Sequence, residues 1–279
     1  MKLSHCAVVL IVLATWVISP DTNAEPLKSL RLGSVAADSA NVMHRRLTPL
    51  TQYLSQSLGM PVSLKLAPDI TSAVDDVIRG NVDISYLSPV AYIHAHEKGG
   101  ARLVVKAVNG KEATFRLMIV VRQESPIKNI ADLAGKRFAF GEKAALLQKA
   151  VLVNAGMPLE KLGAYEFIGP YDNIARSVMI GDFHAGILKD AIARKYEGKG
   201  LYTLYTSPEL PPYNITAAKH VDDATLKRLK NAFQDLKLND PSQQFAIRAL
   251  DASYTGFMET TDSEFDITRQ LIAPFEKKE

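Results

Sequence analysis

Gly80-Asn81-Val82-Asp83-Ile84-Ser85-Tyr86-Leu87-Ser88-Pro89-Val90-Ala91-Tyr92 changes its periodicity twice within a few residues. Gly80 stops the helically spaced run Ile70 to Arg79, Val82 to Leu87 reads as a β-strand, and Ser88-Pro89 opens a second helix spanning Val90 to His96. A serine hydroxyl can cap the first free N–H groups of a helix, and proline is tolerated in the first turn, where its missing N–H is not needed. Helix, strand and helix in such quick succession are the makings of a sheet covered by helices.

Working outward, the same alternation continues in both directions. Upstream, Leu30 to Val35 and Val62 to Leu66 read as strands, and Met43, Leu47, Leu50, Leu54 and Leu58 recur between them at helical spacing until Gly59. Pro49 falls inside that run, so the helix is expected either to restart at a Thr48 cap or to kink. Downstream, strand Arg102 to Val108 ends at the turn signal Asn109-Gly110. The β-prone stretch Phe115 to Val121 then begins a second series: helix Ile130 to Ala134, strand Arg137 to Phe140, helix Ala145 to Ala155, strand Tyr165 to Ile168, helix Asn173 to Ile180 and strand His184 to Leu188. Leu201 to Tyr205, a break at Pro208, Pro211 and Pro212, a strand Asn214 to Ala217 and three helices (Asp223 to Leu236, Pro241 to Leu250, Ser263 to Phe275) complete the chain. The expected architecture is α/β and two-lobed, each lobe a mostly parallel sheet flanked by helices. Residues 25–110 plus 208–279 form lobe 1 and 111–207 form lobe 2, joined by crossings near Asn109 to Thr114 and Ser207 to Tyr213. Two crossings make a two-strand hinge, which lets the lobes close on a ligand.

The N-terminus reads as a secretory signal: Lys2, the apolar run Ala7 to Ile18, and small residues at Thr22-Asn23-Ala24, with cleavage expected near Ala24. That run is shorter than the roughly 18 residues a spanning helix needs, so the mature protein is expected in the periplasm and not embedded in a membrane. The single cysteine, Cys6, lies within the signal, which leaves no disulfide framework, thiolate metal site or cysteine nucleophile. The formal charge is +3, and loss of Lys2 and Asp21 with the signal does not alter it. Basic residues are dispersed, and Arg45-Arg46 lies on an amphipathic stretch, so nucleic acid is not implied.

Several chemistries lack their signatures. The Gly-Lys pairs at Gly110, Gly135 and Gly198 are not part of a phosphate-binding loop, and there is neither a dinucleotide-binding glycine pattern nor a hydrolase nucleophile elbow. His94 and His96, at i and i+2 on a helix, face different directions, so no metal site is expected. No nucleophile, base and orienting group can be assembled, which leaves no catalytic residues to name and no cofactor implied.

Three stretches together resemble the PhnD-like family of phosphate, phosphite and phosphonate periplasmic substrate-binding proteins. They are Leu47-Thr48-Pro49-Leu50 through Gly59-Met60-Pro61-Val62 and on through Gly80 to Tyr92; Phe115-Arg116 through Ser125-Pro126-Ile127 to Asp132-Leu133-Ala134-Gly135-Lys136-Arg137-Phe138-Ala139-Phe140-Gly141; and Tyr171-Asp172 with Gly181-Asp182-Phe183-His184-Ala185-Gly186. The resemblance implies the type II periplasmic binding-protein fold and a soluble receptor that hands a small, anionic ligand to an ABC permease. A ligand-sensing partner of a membrane sensor kinase or redox system is the alternative, with a periplasmic enzyme a more distant one.

The candidate ligand contacts are Tyr86, Ser88, Tyr92, Glu142, Lys143, Tyr171, Asp172 and His184. Ser88 and the first N–H groups of its helix suit an anion, and Tyr86 and Tyr92 offer phenolic donors or apolar walls. Ser88 acting only as a cap and two packed tyrosines fit the same residues. His184 stands at the start of a strand and is expected near a cleft. The sequence departs from the resemblance at Glu142-Lys143-Ala144-Ala145, where the family's phosphonate binders carry a hydroxyl-rich loop, and at Tyr171 and His184, where they carry histidine and an acidic residue. These changes disfavour a doubly charged phosphonate and an amine-bearing ligand.

Overall fold

The computed structural model describes residues 27–36, 39–141 and 146–276. The expected signal and its cleavage point lie outside the described residues. The first series folds as β1 (Leu30–Val35), α1 (Ala40–Leu58), β2 (Val62–Ala67), α2 (Ile70–Ile78), β3 (Ile84–Leu87), α3 (Pro89–Gly99) and β4 (Arg102–Asn109). The second folds as β5 (Leu117–Arg122), β6 (Arg137–Phe140), α4 (Leu146–Asn154), β7 (Ala164–Phe167), α5 (Tyr171–Ile180), β8 (Ala185–Lys189), α6 (Asp190–Tyr196) and β9 (Leu201–Thr206). The chain ends through β10 (Asn214–Ala217), α7 (Asp223–Gln234), α8 (Pro241–Arg248), β11 (Tyr254–Met258) and α9 (Asp266–Glu276).

Helix α1 runs unbroken through Pro49, with Met43, Leu47, Leu50, Leu54 and Leu58 all buried, so the expected restart at Thr48 does not occur. Proline removes one helical N–H there, and the Thr48 hydroxyl donates to the His44 carbonyl at 2.7 Å in the same turn. Gly59 ends the helix in the left-handed conformation at φ 62°. Two elements lack a clear sequence signal. Helix α6 is short, and β11 is interrupted by Gly256, so both owe their structure to the neighbours they pack against.

The strands form two sheets, ordered β11-β4-β10-β3-β1-β2 and β7-β6-β8-β5-β9. The β-α-β strands are parallel: β1 with β2 and β3, and β6 with β7 and β8. The strands next to the crossings, β10 with β3 and β4 and β5 with β8 and β9, are antiparallel, so both sheets are mixed. A chain that passes directly from one sheet into the other enters against the direction of the strands laid down by helical crossovers.

Each sheet is covered on both faces. Leu47, Leu50 and Leu54 of α1 pack with Phe233 and Ile247 against one face of the first sheet, and Val74 and Val77 with Ala91 and Ala95 cover the other. In the second sheet, strand alternation sends Phe138 and Phe140 toward Leu147 and Val151 of α4, and Ala139 toward Ile174 and Val178 of α5. Gly186 permits that second contact, because a Cβ there would lie 2.4 Å from Ile174 Cγ2. The C-terminal α9 lies against both α3 and α4, and its Leu271 and Ile272 share one apolar cluster with Tyr92, Ile93 and Phe138.

The two crossings between the sheets pair with each other. Phe115 N–H donates to the Leu210 carbonyl at 3.0 Å, and Leu210 N–H returns the bond to Phe115 at 2.8 Å. One step on, buried Ser207 accepts from Leu117 N–H through its hydroxyl at 3.0 Å, and Arg116 pairs with Glu209 at 2.8 Å. Removing the hydroxyl leaves a buried amide without its side-chain partner, so Ser207→Ala is expected to lower the free energy of unfolding by about 1–3 kcal/mol, measured by denaturant titration of the unliganded protein.

Candidate functional site

A cavity of about 280 Å³ opens between the two sheets. Ile70, Ser88, Pro89, Val90 and Tyr213 line it from the first sheet's side, and Gly141, Leu146, Gln148, Gly169, Tyr171 and Lys189 from the second's, with Phe115 and Leu117 where the hinge passes into β5. Ser88, Gly141 and Gly169 follow the carboxyl ends of the parallel strands β3, β6 and β7, and Lys189 is the last residue of β8. This is where open α/β sheets hold ligands, because the chain must turn there into helices and leaves a crevice between diverging loops.

Lys189 is the charged residue of the described wall. Its ammonium lies 5.2 Å from the Phe115 ring centroid and 5.4 Å from that of Tyr213. No carboxylate among the described residues is within ion-pair distance of it. Its neighbour Asp190 is committed to Arg194 at 2.6 Å and to the Ala191 N–H at 2.9 Å. Burial pushes the Lys189 ammonium below the ordinary lysine value, with Asp251 and Asp190 partly opposing the shift. Behind Tyr213, Tyr86 stacks at a centroid separation of 5.1 Å, and its hydroxyl is hydrogen-bonded to that of Tyr254.

The opposite wall is held by Gln148, which is buried. Its Oε1 accepts from Gly141 N–H at 2.8 Å and its Nε2 donates to the Tyr171 hydroxyl at 3.2 Å. A side chain on Gly141 would meet Gln148 Nε2 at 2.9 Å and would push that amide from its place. Helices α3 and α5 both begin at the cavity, directing the positive ends of their dipoles into it.

Of the residues expected from sequence, Ser88 and Tyr171 line this cavity. Ser88 also caps α3, accepting from Ala91 N–H at 3.3 Å, so its structural and ligand-facing readings coexist. Tyr86 forms the layer behind Tyr213 and is not itself in the wall. Tyr92 turns away: two residues past Val90 a helix has rotated roughly 200°, and its hydroxyl donates to Asp262 at 2.6 Å while its ring packs on Phe265. Asp172 faces α6, where it accepts from the Tyr196 hydroxyl at 2.8 Å and from Lys195 at 3.1 Å; these bonds hold its carboxyl below the usual range. Glu142 and Lys143 lie outside the described residues. His94 is bonded to Glu276 at 2.7 Å and His96 to the Ala101 carbonyl at 2.7 Å.

His184 stands at the wrong end of its strand for the cavity. It precedes β8, whose last residue is Lys189, so the length of the strand, roughly 17 Å, separates the two. Its Nδ1 accepts from Arg137 N–H at 3.1 Å. Sequence reasoning stopped that strand one residue early and passed over Lys189, as it did Phe115, Gln148 and Tyr213. The carboxyl-end rule applied to strand Ala185 to Lys189 was the signal that would have found the lysine.

Burial, and then the charges of Lys136, Arg137 and Arg122, push the His184 imidazole below its ordinary value. The folded protein therefore binds fewer protons than the unfolded chain below about pH 6.5, and this contribution to stability is lost as pH falls through the folded value. His184→Asn retains an acceptor and removes the titration. It is expected to flatten the decline in melting temperature between about pH 7 and 5 while leaving ligand affinity at neutral pH unchanged, as followed by thermal unfolding and calorimetric titration.

Residues 32–265 match the family model described as ABC transporter, phosphonate, periplasmic substrate-binding protein. The chain is 24% identical over 273 residues to the phosphate-import protein PhnD of Mycolicibacterium smegmatis, covering 88% of this chain and 85% of that protein. Among solved structures, XAC2383 from Xanthomonas citri bound to ATP superposes with a TM-score of 0.74 at 19% identity, covering 90% of this chain and 98% of that one. PhnD1 from Prochlorococcus marinus in complex with methylphosphonate superposes at 0.70 and 17% identity, covering 90% and 99%. The two mixed sheets with their paired crossings are thus the type II periplasmic binding fold, and the chain belongs to the family of ABC-transporter phosphonate periplasmic substrate-binding proteins.

Proposed function

We propose that this protein captures a small oxyanion in the cleft between its lobes, on Lys189, and delivers it to a membrane permease. The observation that carries this reading is an ammonium group in the inter-sheet cavity with aromatic neighbours and no carboxylate partner among the described residues. A cation held away from water is unfavourable unless an anion joins it, so the site gains most when an oxyanion enters. The N-termini of α3 and α5 add backbone partial charges of the same sign.

Closure follows from the same geometry. Ser88 and Tyr213 approach the ligand from one lobe and Lys189 and Tyr171 from the other, so a bound anion bridges both and favours the closed arrangement. The moving bodies are proposed as 25–110 with 208–279 and 111–207, turning about the Phe115–Leu210 pair. In the cell, the chain is exported to the periplasm by its N-terminal segment, cut near Ala24, and docks on its permease in the closed form.

Lys189→Met keeps the apolar stem and removes the charge. It is expected to weaken binding of oxyanions at least 100-fold in calorimetric titration, because an anion would lose its charge-assisted partner in a confined site. The unliganded variant should melt no lower than the native protein, since the buried charge is removed. Unchanged affinity in the variant would refute the assignment.

A further inference from the structure

The composition of the cavity wall narrows the ligand class, and this step rests on the oxyanion reading just given. Among the described residues, the wall presents one cation and no arginine. Gln148 is engaged at both ends of its amide, by Gly141 and by Tyr171, and Ser88, which accepts from its own helix, contributes a single O–H. Pro89 and Pro170, at the starts of α3 and α5, have no N–H to offer.

A doubly charged head with three oxygens needs several strong donors to replace its lost hydration. This wall has few, and most of its exposed surface is carbon. Ile70, Val90, Leu117, Leu146 and Leu147 line the same cavity as the lysine, and the Phe115 and Tyr213 rings lie 5.2 and 5.4 Å from its ammonium. A single positive charge beside an aliphatic surface matches a ligand with one negative charge and an apolar substituent.

We propose that the cleft is specific for a small organic monoanion, with its charged head on Lys189 and its hydrocarbon part against Leu117, Leu146 and Leu147. The apolar wall contributes to affinity in proportion to the carbon it covers, and the shortage of donors discriminates against inorganic phosphate and sulfate. The head can be a carboxylate, a sulfonate or a singly ionised phosphonate ester. These share one charge and differ in the number of oxygens, which the lysine alone does not distinguish.

The test is calorimetric titration of the mature protein at pH 7.5 with inorganic phosphate, sulfate, methylphosphonate, and the methane- to pentanesulfonate and acetate to hexanoate series. The expected result is affinity for at least one alkyl series that tightens about fourfold per methylene until the wall is covered, with phosphate, sulfate and methylphosphonate weaker than its longer members. Leu146→Asn should flatten this chain-length dependence, weakening the longer members more than the shortest one. Tight binding of phosphate, sulfate or methylphosphonate that depends on Lys189, with no gain from chain length, would overturn the monoanion inference and leave the oxyanion receptor standing. A chain-length gain that survives in Leu146→Asn would overturn the placement of the hydrocarbon part. Binding by none of these anions, or binding indifferent to Lys189→Met, would instead remove the oxyanion reading itself.

Discussion

The reciprocal backbone pair between Phe115 and Leu210 is the constraint on which the rest of the architecture turns. The chain leaves the first sheet once and returns once, and these two strands meet at that pair. Because the pairing is antiparallel, β5 and β10 enter their sheets against the crossover strands, which accounts for the mixed character of both. It also brings Phe115 and Tyr213, one from each crossing, to either side of the lysine at the end of β8. A hinge built from two hydrogen-bonded strands resists twisting while allowing the lobes to bend toward each other.

The site gains its character from what surrounds the charge. A lysine on an exposed helix would be hydrated and indifferent to its neighbours, whereas this ammonium lies near the faces of two rings in a cavity lined mostly by carbon. Its affinity for a proton falls through burial, and an anion entering the cavity would reverse that shift, coupling ligand charge to lysine protonation. Tyr86 and Tyr254 contribute at one remove by fixing the Tyr213 ring on which the ammonium rests. Gln148 does the same for Tyr171 and Gly141 on the facing wall, and a buried amide bonded at both its oxygen and its nitrogen helps keep a binding surface rigid.

Behind the cleft, α9 ties the lobes in a second way. It packs on α3 and on α4, and Arg269 reaches Asp262, Asp266 and Glu97 along the α3 seam. Tyr92 belongs to this seam, with its hydroxyl on Asp262, so a residue expected to face a ligand instead helps join two helices. The same cluster engages His94 and His96, whose partners are Glu276 and the Ala101 carbonyl.

Most of the elements, though not α6 or β11, and the family to which the chain belongs are legible in the sequence, because both reside in local signals. The alternation through Gly80 to Tyr92, the apolar spacing of α1 and the glycine stops depend only on near neighbours. The sequence also marked Ser88, directly after the end of β3, and Tyr171, which opens α5 after the short loop that follows β7. Tertiary structure decided the rest. His184 precedes β8 and Lys189 ends it, and the parallel pairing of β8 with β6 puts the Lys189 end at the cavity. Phe115 and Tyr213 are nearly a hundred residues apart, and no local pattern announces that they flank one ammonium group. Their meeting follows from the pairing of the two crossings, an interaction between distant segments that no local period encodes.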